Sequence, residues 1–225
     1  PTNSGISADY HRVLKAMSNV ACLRSLHDRL APDVVNGGLP IVAVNLAWGF
    51  PTEDHSCSGK FDTNSTLRTA EDESISSFDG QVRLLEDDLN ISVVSAAGNG
   101  GAQASFFPAC LERVISTDAV VETGLTASGF STDPADPNVL FPKDSISPIS
   151  NTGPSVDLYA PGAFGTSFSS ATTSAAAAVL STIVPDANPR VIRRALIESG
   201  QSLQNPFLGT TIKRLALPNA VDRLN

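Results

Sequence analysis

The sequence predicts an α/β fold, with a mostly parallel sheet covered by helices on both faces. Short, nearly continuous apolar runs alternate with longer segments in which apolar residues recur every three or four positions. Strands of a parallel sheet are buried on both faces and therefore read as continuous apolar runs. In addition, 225 residues with a hydrophobic fraction of 41% suffice for a sizeable core. We therefore expect a single three-layer domain over residues 1–225.

The elements of this fold follow in chain order. The segment 8–30 is predicted to be helical, and an apolar strand follows over 41–47 between glycines. The segment 74–89 repeats its apolar residues at steps of three and four, which predicts an amphipathic helix. Further strands are predicted over 91–97, 114–121 and 156–159.

The carboxyl-terminal third is predicted to be mainly helical. A helix rich in small residues spans 168–184. An N-cap asparagine followed by a proline begins a second helix over 189–199, and a short third helix spans 218–224. The stretch 126–150 is rich in Ser, Asp and Pro, which indicates a surface loop.

Charge and hydropathy exclude two classes of protein. With 15 Lys and Arg against 23 Asp and Glu, the net charge is −8, and no basic cluster suits a nucleic acid. No apolar run approaches the roughly 18 residues that a membrane span requires. The chain begins at Pro1 without a signal-peptide pattern, so we interpret Pro1 as a cut end produced by processing or by cloning.

The three cysteines lack the paired spacing of a metal site. Cys22 lies on a predicted helix, where we expect a buried thiol. Cys57 and Cys110 both lie in loop-like sequence, and the sequence leaves open whether they form a disulfide.

Two segments carry residues suited to chemistry. Ser167 begins the helix 168–184, where free backbone N–H groups and the helix dipole favour a developing negative oxygen. Asn99 follows the strand 91–97 at the edge where α/β sites gather, and its amide can donate to an oxyanion. Taken singly, Ser167 reads as an ordinary N-cap and Asn99 as a turn residue.

Together with three further segments, these two resemble the subtilisin-like serine proteases. Five stretches match in the family's order: Val44-Asn-Leu-Ala-Trp-Gly49, Val94-Ser-Ala-Ala-Gly-Asn99, Phe107-Pro-Ala109 leading to Val114-Ile-Ser116, Val156-Asp-Leu-Tyr-Ala-Pro-Gly162, and Gly165-Thr-Ser-Phe-Ser-Ser170. The resemblance covers nearly the whole chain, and it implies a partial subtilisin-like domain over residues 1–225 that lacks the family's amino-terminal strands. It implies that Ser167 is the nucleophile and that Asn99 and the Ser167 N–H form the oxyanion hole.

The resemblance also implies a substrate-binding region. Two segments would form the walls of the S1 pocket, with an extended substrate paired along them by strand addition. The implied wall residues are Leu46, Ala47, Trp48, Gly49, Ser95, Ala96, Ala97 and Gly98. Phe106 falls where many relatives have glycine at the pocket floor, so we expect a short pocket that favours small P1 side chains.

The sequence departs from the family in its catalytic base. The family orders its triad Asp, His, Ser, with the first two on elements that precede the strand matched by 41–47. No Asp-Thr-Gly, Asp-Ser-Gly or His-Gly-Thr motif occurs in this sequence. We interpret His11 and His27 as structural and His55 as a solvated loop residue. The triad Asp and His are therefore expected from an upstream segment or a partner chain, and we expect that segment, a partner or a rearranged loop to cover the edge of 41–47.

The predicted function is that of a serine endopeptidase that forms an acyl-enzyme on Ser167 and has little activity as this chain alone. The alternative is an inactive subtilisin-like protein that binds peptides or serves as a scaffold. Another serine hydrolase is disfavoured because no Gly-x-Ser-x-Gly motif occurs. We expect a secreted or extracytoplasmic location and a polypeptide substrate. No cofactor is expected; Asp133, Asp136 and Asp144 could join a calcium site, but they lack an EF-hand-like spacing.

Overall fold

The computed structural model describes residues 4–30, 40–50, 70–122, 125–128, 138–162, 164–205 and 209–224. The strands are β1 (Ala43–Leu46), β2 (Ser92–Ala96), β3 (Ile115–Val120), β4 (Leu125–Ser128), β5 (Asn138–Phe141), β6 (Leu158–Pro161), β7 (Gln201–Asn205) and β8 (Thr210–Arg214). The helices are α1 (Ser4–Leu30), α2 (Ala70–Arg83), α3 (Thr166–Ile183), α4 (Pro189–Glu198) and α5 (Leu217–Leu224), and a π-helical turn over Leu84–Asp88 continues α2.

Six of these strands form one sheet in the order β1–β2–β3–β6–β8–β7. All neighbouring pairs are parallel except β7 and β8, which are antiparallel. The mostly parallel sheet predicted from the apolar runs is confirmed.

The helices cover both faces of this sheet. Successive residues of a strand point to opposite faces, and Val93 and Val94 of β2 do so here. Val93 packs in a core with α1 and α2, whereas Val94 packs in a second core with α3, α4 and α5. The three-layer architecture follows from this division.

The helix α2 and its π-helical turn show why the sequence folds in this way. Phe78, Val82 and Leu85 lie on one face, and all three side chains are completely buried. Burying a side chain of this kind contributes about 1.5–3 kcal/mol, so this stripe fixes α2 on the sheet.

The first helix orients one cysteine differently from the expectation. The buried stripe of α1 consists of Tyr10, Met17 and Ala21. Cys22 is the next residue around the helix, about 100° from Ala21, and its thiol is free and exposed. The expectation of a buried thiol at Cys22 is therefore wrong.

Two hairpins were missed by the sequence patterns. The antiparallel pair β4 and β5 lies in the stretch 126–150, which was expected to be a surface loop throughout. The pair β7 and β8 follows the last predicted strand. Each of β7 and β8 has one apolar residue among polar ones, Leu203 and Ile212, so neither resembles a buried strand.

The opposite edge of the sheet is formed by β1. No strand among the described residues pairs with the outer side of β1. The strand is not bare, because Val44 packs against the α1–α2 core and Arg24 donates to the carbonyl of Ile41 at 2.6 Å. That an upstream segment, a partner chain or a rearranged loop covers this edge stays a prediction.

The helix α3 crosses the sheet over β1, β2, β3 and β6, with α4 and α5 packed at its side. Most of the exposed residues of α3, which point away from the sheet, are apolar, with Thr182 as a polar exception. This outer face of α3 consists of Phe168, Ala171, Ala175, Val179 and Ile183. None of the described helices has the length and apolar character needed to cross a membrane.

Candidate active site

The two residues predicted to do chemistry meet at the carboxyl edge of the sheet. Asn99 lies three residues beyond the end of β2, and Ser167 is the second residue of α3. The strands are parallel, so the turn that follows β2 and the turn that joins β6 to α3 emerge at the same edge.

The start of α3 requires a glycine. Gly165 has φ of 131°, a conformation that side-chain-bearing residues rarely adopt. A Cβ atom at this position would also lie only 2.9 Å from Oδ1 of Asn99. Gly165 therefore allows the first turn of α3 to approach Asn99 closely.

Thr166 fixes the orientation of the Asn99 amide. The Thr166 N–H donates to Oδ1 of Asn99 at 2.9 Å, and the Thr166 hydroxyl donates to the same oxygen at 3.1 Å. The Thr166 hydroxyl also accepts from the N–H of Gly98 at 3.1 Å. A backbone N–H can only donate, so the atom of Asn99 that faces it is the amide oxygen.

Two hydrogen-bond donors are consequently left at this edge. The oxygen of the exposed Asn99 amide is occupied, and no described residue accepts from its Nδ2. The Ser167 N–H lies in the first turn of α3, where N–H groups have no partner within the helix. Nδ2 and this N–H have the chemistry of an oxyanion hole beside the half-buried Ser167.

The two predicted walls lie on neighbouring strands. Leu46 of β1 is paired in register with Ser95 of β2, whose hydroxyl donates to the Leu46 carbonyl at 3.2 Å. Because the side chains of Leu46, Ser95, Ala96 and Ala97 are buried, these residues offer only their main chain to a ligand. Of the other wall residues, Ala47 and Gly49 are exposed, whereas Trp48 and Gly98 are half-buried.

Phe106 lies between these walls. Its Cβ is 3.4 Å from the point where a Cβ of Gly49 would stand, and its ring is 3.2 Å from the corresponding point of Gly100. A side chain at Gly98 would collide with the same ring, because Cδ2 lies 2.6 Å from the position of its Cβ. The Phe106 side chain thus contacts both segments that were predicted as pocket walls, with its Cβ near Gly49 and its ring near Gly98.

The described histidines lie elsewhere. His11 and His27 belong to α1, which packs on the face of the sheet opposite to α3. His55 lies outside the described residues.

The remaining candidate ligands lie outside the described residues or are engaged. Asp133 and Asp136 also lie outside the described residues, whereas Asp144 forms an ion pair with Arg214 at 2.8 Å. No metal-binding group of His, Cys, Asp and Glu occurs in the part of the chain that the structure describes.

One predicted disulfide partner is bonded. Cys110 is part of a disulfide. Cys57, the other candidate that the sequence left open as its partner, lies outside the described residues.

Two buried carboxyls have perturbed pKa values but lie away from Ser167. Burial raises the pKa of Asp118 on β3 to about 7. Burial likewise raises the pKa of Glu86 to about 7, although Arg113 and Arg193 lower it. Asp118 points to the face of the sheet opposite to α3, since Ile115, three residues earlier, packs in the α3 core.

Sequence reasoning did not single out two residues that shape the site. Thr166 was noted only as part of the Gly-Thr-Ser segment, and its position next to Ser167 was the available signal. Asn151 was not noted at all, although it is completely buried and contacts the loop that carries Asn99. No local pattern distinguishes it in a stretch rich in Ser and Thr.

Fold and site together define an α/β protein with a serine and two hydrogen-bond donors at the carboxyl edge of its sheet. The family model of the subtilases matches residues 39–212, most of the chain. The chain belongs to the subtilase family. Among curated proteins, no sequence matches it significantly.

Solved structures share this fold. The prenylagaramide maturation protease PagA has 20% identity and a TM-score of 0.53, covering 90% of this chain and 67% of that chain. The self-cleaved protease domain of PatA has 22% identity and a TM-score of 0.54, covering 91% and 68%. A cold-adapted subtilisin-like serine proteinase has 19% identity and a TM-score of 0.53, covering 87% and 60%. The chain therefore spans about two thirds of these structures or less.

Proposed function

We propose that this chain is the part of a serine endopeptidase that carries the nucleophile Ser167 and the oxyanion hole. The observation that carries the proposal is the orientation of Asn99. Thr166 holds the amide oxygen at 2.9 and 3.1 Å, which leaves Nδ2 as the donor next to the Ser167 N–H. A serine that only caps the helix and takes no part in a reaction would not require the Asn99 amide to be oriented in this way.

The triad Asp and His are proposed to come from an upstream segment or a partner chain. Two surfaces support this proposal. The outer side of β1 has no strand partner among the described residues, and the outer face of α3 is apolar and begins beside Ser167 at Phe168, which is 58% exposed. A segment that covers both surfaces would bring its own side chains next to Ser167.

The proposed reaction is acyl transfer. The supplied His accepts the proton of the Ser167 hydroxyl as the oxygen attacks the scissile carbonyl. Nδ2 of Asn99 and the Ser167 N–H stabilise the oxyanion of the tetrahedral intermediate. The His then protonates the leaving amine, and a water molecule hydrolyses the acyl-enzyme. The side chains suffice for these steps, so no cofactor is proposed.

The proposed substrate is a polypeptide in extended conformation. Of the two walls, the segment 47–49 is the better site for strand addition. The main chain of the other wall is already used, because the Ala97 carbonyl accepts from Phe106 N–H and from Asn151, and Gly98 N–H donates to Thr166. The Phe106 ring between the walls favours small P1 side chains.

The proposed location is extracytoplasmic. The disulfide at Cys110 supports it, because disulfides persist mainly in oxidising compartments.

A fluorophosphonate probe tests the catalytic proposal. In the protein that includes the segment or chain supplying the base, we expect covalent labelling that is lost in Ser167→Ala. Labelling should be kept in Ser181→Ala, a control on the same helix whose hydroxyl bonds only within α3. Asn99→Ala should slow labelling by about 10²–10³-fold, the cost of removing one oxyanion donor. An intact-mass measurement of the same sample shows whether a second polypeptide accompanies the chain.

The competing function is that of an inactive subtilase that binds peptides or acts as a scaffold. It is favoured by one observation, that no described histidine lies on the α3 side of the sheet. A protein that includes the upstream segment or the accompanying chain and still never labels would support this function and contradict the catalytic proposal.

A further inference from the structure

One buried side chain forms hydrogen bonds with the main chain of the loop that carries Asn99. Asn151 is completely buried. Its Nδ2 donates to the Ala97 carbonyl at 3.0 Å, and its Oδ1 accepts from the N–H groups of Gly100 at 2.8 Å and Ala102 at 3.0 Å. The two ends of one amide thus bind the main chain on both sides of Asn99.

The main chain of the same segment adds to this contact. Asn151 N–H donates to the Gly98 carbonyl at 2.9 Å, and Thr152 N–H donates to the Ala102 carbonyl at 2.7 Å. Gly98 has φ of 113°, and a side chain there would collide with the Asn151 amide. The glycine is therefore needed for Asn151 to reach the loop.

We propose that Asn151 is a positioning residue of the oxyanion hole, an inference that rests on the proposed function. Thr166 orients the amide of Asn99, whereas Asn151 fixes the main chain to which this side chain is attached. Without Asn151, the Gly100 and Ala102 N–H groups lose their acceptor and the Ala97 carbonyl keeps only the Phe106 N–H, which is costly where these groups are shielded from water. The loop must then rearrange, and a displacement of about 1 Å in a catalytic group can cost about 10²-fold in rate.

The first test measures amide hydrogen exchange in Asn151→Ala. We expect exchange at Gly100 and Ala102 to become at least about tenfold faster, because each N–H loses its acceptor. The matched control is Asn188→Ala, which removes the N-cap amide that accepts from Val191 N–H on α4. It should leave exchange at Gly100 and Ala102 unchanged. Unchanged exchange at these two amides in Asn151→Ala would overturn the inference.

The second test separates positioning from general destabilisation. Asn151→Ala should slow fluorophosphonate labelling of Ser167 by about tenfold or more without weakening reversible binding of the probe. If Asn151 acts through Asn99, then adding Asn151→Ala to Asn99→Ala causes no further slowing. Additive slowing in the double variant would refute the positioning role.

The two tests distinguish the inference from the proposed function. Absence of labelling in the unmodified protein would reject the catalytic proposal. The exchange measurement requires no labelling, so it still decides whether Asn151 holds the loop.

Discussion

The buried carboxyl of Asp118 should make the stability of this protein depend on pH. Asp118 is completely buried in β3, and burial raises its pKa from 3.8 to about 7, although hydrogen bonds from Ser150, Ala119 and Tyr159 lower it. In the unfolded chain the group titrates near its ordinary value. Between about pH 4 and 7 the folded state therefore binds more protons, and the free energy of unfolding falls as the pH rises.

The size of this effect follows from the two pKa values. They differ by about 3 units, and at 1.36 kcal/mol per unit the total is about 4 kcal/mol. About 2.5 kcal/mol of this loss falls between pH 5 and pH 8. The loss is complete above the folded-state pKa of about 7.

Urea denaturation at pH 5 and pH 8 measures this loss. Asp118→Asn resembles the protonated carboxyl at every pH. Between pH 5 and pH 8, the free energy of unfolding of this variant should therefore decrease by about 2.5 kcal/mol less than that of the unmodified protein. Glu86, which also has a raised pKa, contributes equally to both proteins and cancels. Asp222→Asn, which makes the same substitution at an exposed position on α5, is the matched control. The reasoning is refuted if Asp118→Asn keeps the full pH dependence.

Three further predictions concern the site and the disulfide. Phe106→Gly should open the space between the walls. The kcat/KM for a peptide with Phe at P1, divided by the kcat/KM for the same peptide with Ala at P1, should then rise about tenfold or more. An unchanged ratio would place Phe106 outside the P1 pocket. Gly165→Ala places a Cβ 2.9 Å from Oδ1 of Asn99, so fluorophosphonate labelling should slow by about 10²-fold; labelling at the original rate would contradict the close approach. If Cys57 pairs with Cys110, alkylation of the unfolded, unreduced chain should modify only the Cys22 thiol, and the mass should increase by one label. A mass increase of three labels would exclude the pairing.

The layers of the fold were predictable because their signals are local. A strand buried on both faces reads as an apolar run, as in β2, and the helical stripe of Phe78, Val82 and Leu85 repeats within one segment. The hairpin β7–β8 lies at a sheet edge, and each of its strands has only one apolar residue. Because neither strand is a continuous apolar run, the pattern did not predict it.

The residues that shape the site were harder to predict because their contacts are distant in sequence. Asn99 and Thr166 are 67 residues apart, and Asn151 is 54 residues from Ala97. Ser167 and Asn99 could be identified through their motifs, each of which lies within a few residues. The partnership that orients the Asn99 amide exists only after the turns following β2 and β6 meet at one edge of the sheet.

The outer edge of β1, which pairs with no described strand, and the outer face of α3 also have a kinetic consequence. If the catalytic base is carried by a separate chain that covers them, the active enzyme forms by a bimolecular step. Specific activity then falls on dilution below the dissociation constant and recovers when the second chain is added in excess. A base carried by a covalently attached segment gives a specific activity that does not change on dilution. A dilution series of the active protein therefore distinguishes an enzyme divided between two chains from one that is continuous.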